Sequence, residues 1–184
     1  MALAASVAVA WLGSATGDGS DDTVSIGRDT SGSSAVDGGP ATIGTNAVLG
    51  GEAFPSADIT TLDGTNLSTE ELVGTPLVVN IWGSTCGPCQ RELPDFAAAH
   101  AIYGDRVRFI GISYLGASAR EEAFARDRGV EYELFYDADG EFITAAGVAA
   151  FPVTLFVTAD GTVVEQTGVL DAARLGELIE GSLL

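Results

Sequence analysis

The chain has 184 residues, with 26 acidic and 8 basic side chains and a net charge of −18. All the basic residues are arginine. This balance excludes a nucleic-acid binder and docking on anionic lipid through a basic patch, since both rest on clustered Lys and Arg. Hydrophobic residues make up 46% of the chain, which excludes a wholly disordered polyelectrolyte, and only two Cys exclude both a disulfide-rich scaffold and an all-cysteine zinc site.

The run ALAASVAVAWL opens the chain after Met1. It is shorter than the roughly 20 residues a spanning helix needs, and it has the length of a signal-peptide apolar region. Small residues follow at Gly13, Ser14 and Ala15, although a positively charged start is missing. Residues 1–15 are therefore expected to be a signal peptide or membrane-anchor-like segment. Residues 16–51 are dominated by Gly, Ser, Thr, Ala and Asp and carry no aromatic residue. Such a stretch cannot bury enough apolar area to offset its chain entropy, and it is expected to be a disordered linker. A folded domain is expected over 52–184.

Within that domain, 57–62 and 65–67 flank Asp63-Gly64 and read as a hairpin. Ser68 and Glu71 have capping-box spacing, so a short helix is expected before Gly74. The run LVVNIW at 77–82 reads as a strand covered on both faces. A long helix follows over about 87–103, with Leu93, Phe96, Ala97 and His100 at helical spacing. Then come a strand at 107–112, a helix capped by Ser118 with Glu121, a short strand at 134–136 and a helical turn at 141–146. Strands at 153–157 and 162–167 flank Asp160-Gly161, and Asp171 caps a last helix that buries Leu175, Leu178 and Ile179. The alternation predicts an α/β fold: a central mixed sheet flanked by helices, an N-terminal hairpin and an inserted helix–strand unit.

Chemistry concentrates at Cys86-Gly87-Pro88-Cys89, where the buried strand gives way to the long helix. Cysteines three apart at a helix start lie within bridging distance. The first faces free N–H groups and the positive end of the macrodipole, both of which favour the thiolate nucleophile. Pro88 fits a first turn, where its missing N–H costs little. The alternative, half a metal site, lacks ligands, since the one His, His100, sits on the apolar helical face. No metal and no cofactor is expected.

The segment VVNIWGSTCGPCQRELP, with Pro94 five residues past Cys89, resembles the strand, active-site loop and first helix of the TlpA/ResA-like (redoxin) branch of the thioredoxin superfamily. GVAAFPVTLFV is similar to that family's segment carrying the active-site cis-proline, and ADGTVVEQTG to the hairpin that follows. The resemblance covers about 130 residues. It implies a thioredoxin-like fold and dithiol–disulfide exchange with protein substrates by Cys86 and Cys89. It assigns support to Pro152, Glu92, Trp82, Gly87, Pro88 and Phe151. Thr85 stands where the family commonly has Trp, and bulky Phe151 precedes Pro152 where a smaller residue is common. Asn80 replaces a buried Asp of cytosolic thioredoxins. Glu92 matches a carboxylate that tunes proton transfer near the thiols; it equally fits an ordinary first-turn acid favoured by the dipole.

The resemblance further implies an exported, extracytoplasmic protein, membrane-tethered, monomeric and served by a membrane redox partner. The Gly-Pro dipeptide favours a reductase, in cytochrome c maturation for example. The alternatives are an exported disulfide-forming oxidant of the DsbE-like type, a thiol peroxidase, and a copper metallochaperone. A peroxiredoxin places Thr three residues before its reactive Cys, where this chain has Gly83, and the metallochaperone type uses CxxxC with a distant His.

Overall fold

The structure, a computed structural model, describes residues 45–184, so the expected export segment and most of the expected linker lie outside the described residues. Seven strands form one mixed sheet in the order β2-β1-β5-β4-β3-β6-β7. They are β1 (Asp58–Thr60), β2 (Asn66–Ser68), β3 (Leu77–Trp82), β4 (Arg108–Ser113), β5 (Glu133–Tyr136), β6 (Val153–Val157) and β7 (Val163–Thr167). The helices are α1 (Gly87–Tyr103), α2 (Ala119–Arg126), α3 (Glu141–Ala145) and α4 (Ala172–Ser182). β3, β4 and β5 are parallel, whereas β6, β7, β1 and β2 add antiparallel pairs at both sides. This is the expected thioredoxin-like architecture, with the hairpin β1–β2 joined to β5 and the unit α2–β5 inserted.

β3 explains its own sequence. All six of its residues are buried, because successive side chains enter opposite layers of core. Val78 and Trp82 pack beneath α1 and α4 with Phe96, Leu175 and Ile179. Leu77, Val79 and Ile81 face Phe142 of α3 and Phe54 of the N-terminal segment. An apolar run, interrupted only by buried Asn80, is therefore required rather than an alternating one.

The Ser68 capping box closes the expected short helix, a single 3-10 turn at Thr69–Leu72 that stops before Gly74 at φ 120°. Local signals differ from expectation in two places. The buried stripe of α1 is Cys89, Glu92, Leu93, Phe96 and Ala99, so Ala97 and His100 fall at its margin, half-buried. The stripe advances mostly in steps of three, which carries it away from those two positions. His100 packs edge-on against Phe109 and Tyr132. Residues 45–51 lie against the fold. Ala47 N–H donates to Gly147 O, and Gln166 donates to Ala47 O while accepting from Leu49 N–H.

Candidate active site

Register brings three loops to one end of the sheet. Trp82 at the end of β3 pairs with Ser113 at the end of parallel β4, and Ile81 pairs with Val153 at the start of antiparallel β6. The segments 83–86, 114–118 and 147–152 therefore leave the sheet side by side. The first carries Cys86, and the last carries the Phe151–Pro152 peptide bond, which is cis.

Cys86 is the N-cap of α1, with extended backbone, and its Sγ accepts from Cys89 N–H at 3.2 Å. Cys86 and Cys89 form a disulfide, their Cα atoms 5.3 Å apart. The two sulfurs are not equivalent. Cys89 is completely buried, while Cys86 is half-buried at the mouth of the helix. An incoming group therefore meets Cys86 first, and the unsatisfied N–H groups of the first turn bias that sulfur toward negative charge. Pro88 lies in the first turn, and the exposed Gly87 gives its carbonyl to the Arg91 guanidinium at 3.1 Å.

The loop before Cys86 is held at both main-chain polar atoms of Ser84. Its N–H donates to Glu121 Oε1 at 2.8 Å, and its carbonyl accepts from Gln90 Nε2 at 2.7 Å. Glu121 also accepts from Ser113 Oγ at 2.8 Å and is buried. Ser118 Oγ accepts from Glu121 N–H as a cap, but the carboxylate turns away to the loop, so the expected reciprocal cap is only half made. No local signal marks Glu121 for this work, because Ser84 lies 37 residues away.

Glu92 sits in the buried stripe of α1, three residues beyond Cys89, and is 1% exposed. This separates the two expectations for it: the carboxyl is an interior group, not a solvated first-turn acid. Asn80 Nδ2 donates to Oε1 at 2.9 Å, and Leu170 N–H donates to Oε2 at 3.3 Å. Burial pushes the carboxyl up to about 7, with Asp95 adding to the rise and the two hydrogen bonds opposing it. Around this pair, Asn80 Oδ1, Thr154 Oγ1 of the paired strand, Trp82 Nε1 and the Tyr132 hydroxyl are buried with no hydrogen-bond partner. Burial, and next the Glu92 charge, raise the Tyr132 hydroxyl well above its ordinary range.

Trp82 is fully buried beneath α1, stacked on Phe124 with centroids 6.2 Å apart. It backs the cysteine helix and does not reach the surface. Phe151 is half-buried and packs on Tyr114, with ring centroids 4.3 Å apart. The Tyr114 hydroxyl shares a hydrogen bond with Thr85 Oγ1 at 2.8 Å. Tyr114 thus touches both Thr85, just before Cys86, and Phe151, just before Pro152, and nothing in its own neighbourhood in the sequence announces it. His100 lies near the far end of α1, about 20 Å along the axis from Cys86. Among the described residues, no group of three or more His, Cys, Asp or Glu converges as a metal site would.

Comparison with known proteins gives a consistent set of relatives. Residues 50–166 match the AhpC/TSA family. The thiol-disulfide oxidoreductase ResA of Bacillus anthracis is 26% identical over 134 residues, covering 72% of this chain and 76% of that protein. ResA of Bacillus subtilis (strain 168) is 23% identical over 123 residues, covering 66% and 69%. Among solved structures, MTB dsbF superposes with a TM-score of 0.61 at 27% identity, covering 68% of this chain and 93% of that one. A secreted Mycobacterium tuberculosis disulfide oxidoreductase homologous to E. coli DsbE gives a TM-score of 0.60 at 25% identity, over 68% and 95%. The matched stretch spans both cysteines, the buried carboxyl and the cis-proline; the chain belongs to the AhpC/TSA family and is a thiol–disulfide oxidoreductase of the ResA-like, thioredoxin-fold kind.

Proposed function

We propose that this chain is an exported reductase of protein disulfides, with Cys86 as the attacking sulfur and Cys89 as the resolving one. The observation that carries the assignment is their unequal exposure across one helical turn. In the reduced protein, Cys86 thiolate attacks one sulfur of a client disulfide. A mixed disulfide forms, and the client's other sulfur leaves as thiolate and takes a proton. Cys89 then loses its proton and attacks Cys86 Sγ, which breaks the mixed disulfide and releases the second client thiol. Two electrons have passed to the client, and the CGPC pair is closed as it stands in this structure. A dithiol partner at the membrane returns the electrons.

The remaining residues take supporting parts. Glu92, near neutrality in its buried setting, accepts the Cys89 proton. The backbone around Phe151 and Pro152 receives the client strand, with the Phe151 ring as one wall. Gly87 and Pro88 shape the first turn of α1, and Trp82 holds the helix from beneath. No cofactor is needed, because the two sulfurs store both electrons. Against a peroxidase stands the position three residues before Cys86. A Cβ on Gly83 would lie 2.5 Å from the Tyr114 ring, so a threonine there would have to displace that ring. A second reading, a disulfide-forming oxidant using the same residues in reverse, draws on the similarity to the secreted M. tuberculosis disulfide oxidoreductase. That similarity and the apolar N-terminal run also support export.

One experiment with two arms tests the reading. Cys89→Ser cannot resolve, so it accumulates mixed disulfides through Cys86; a variant that keeps a reactive Cys86 and traps no client overturns the mechanism. Equilibration of the wild type against glutathione fixes direction. A potential near about −270 mV sustains the reductase, and one near about −120 mV hands the role to the oxidant.

A further inference from the structure

We propose that Tyr114 is a positioning residue that sets the width of the client slot, by tying the residue before Cys86 to the residue before Pro152. The inference rests on the exchange reading above and names a residue that reading does not use. Three contacts carry it. The Tyr114 hydroxyl bonds Thr85 Oγ1 at 2.8 Å, its ring packs tilted on Phe151 with centroids 4.3 Å apart, and it lies so close over Gly83 that a Cβ there would displace it. Its own backbone is fixed, since Tyr114 N–H donates to Trp82 O at 3.0 Å and Ser113 beside it is bound to Glu121. Tyr114 is therefore a post anchored to the sheet, and the two shoulders of the cysteine mouth both lean on it, one at its hydroxyl and one at its ring.

A client segment must lie between Cys86 and the Phe151–Pro152 backbone for its sulfur to be attacked. The separation of those two loops decides which segments enter, and Thr85 and Phe151 are the residues that line them. Without the post, both loops must be ordered afresh by each client. That cost falls on binding, whereas the sulfur chemistry at the helix start is left as it was.

The test uses the full chain and a cyclic peptide disulfide, followed by steady-state kinetics with the wild type as reference. Wild-type turnover of the peptide must be seen first; its absence would count against the exchange reading, not against the role of Tyr114. Tyr114→Phe and Thr85→Val each cut only the hydroxyl contact and raise KM about threefold at nearly constant kcat, and the double variant is no worse than either alone. Tyr114→Ala removes the ring as well and raises KM about tenfold or more. A purely structural role would shrink the folded fraction, lowering kcat with KM fixed; that result overturns the proposal. So does an unchanged KM in Tyr114→Ala, or full additivity of the two hydroxyl variants.

Discussion

Glu92 is the residue whose environment changes its chemistry most. Its ordinary value is 4.5, and burial moves it up to about 7. Between those values the folded state holds a proton that the unfolded state has released. Stability therefore falls as pH rises from about 4.5 to about 7, by roughly 3 kcal/mol in total if the whole shift is felt. In the oxidised protein neither cysteine titrates, so the effect can be isolated. Urea unfolding of oxidised wild type and Glu92→Gln at pH 5 and pH 8 is expected to show the wild type losing more stability over this interval. Parallel losses would mean that the carboxyl ionises as if exposed. The sequence carried the position of Glu92 but not its burial. Three residues past Cys89 is equally an outward or an inward site until the stripe of α1 is known, and that stripe is set by the sheet beneath it.

At the scale of elements, the strands and helices were legible because each carries its own signal. β3 is apolar except at Asn80 since both its faces are covered, and Ser68, Ser118 and Asp171 mark helix starts by accepting main-chain N–H groups. The ordered segment 45–51 has no such signal. It has little apolar surface and lies in a Gly- and Ser-rich stretch, yet it is held by bonds to residues about a hundred positions later in the chain. Asn46 makes three of them. Its Oδ1 accepts from Ala149 and Ala150 N–H, each at 2.8 Å, and its Nδ2 donates to Ala150 O at 3.1 Å. These close onto the loop that leads into Pro152, so the segment works as a strap on the cis-proline arm of the site. Asn46→Ala is expected to cost about 1 kcal/mol and to speed amide exchange at Ala149 and Ala150 by about tenfold, with α1 amides unchanged. Uniform loss of protection across the domain would mean instead that the strap holds the whole fold.

For the whole molecule, three arginines are engaged by neighbouring groups of the fold, and the acid excess is left largely unanswered. Arg108 joins β4 to β5 through Glu133 and reaches Leu72 O; Arg126 binds Glu122 and two carbonyls; Arg128 lies 3.5 Å over the Phe124 ring. Only three ion pairs form among the described residues, against a chain charge of −18. The field outside the molecule is therefore strongly negative, and it acts on encounter before any sulfur is reached. The chemistry at Cys86 is short-range and indifferent to this field, so the two can be separated by salt. A basic and an acidic peptide of equal length, each with the same disulfide, are expected to differ in kcat/KM at about 10 mM salt, where screening extends about 30 Å, in favour of the basic one. Near 1 M salt, where that length is about 3 Å, the two rates are expected to converge while kcat at saturation stays level. A preference that survives at high salt would place the discrimination in contacts at the cysteine mouth. The overall charge would then serve solubility alone.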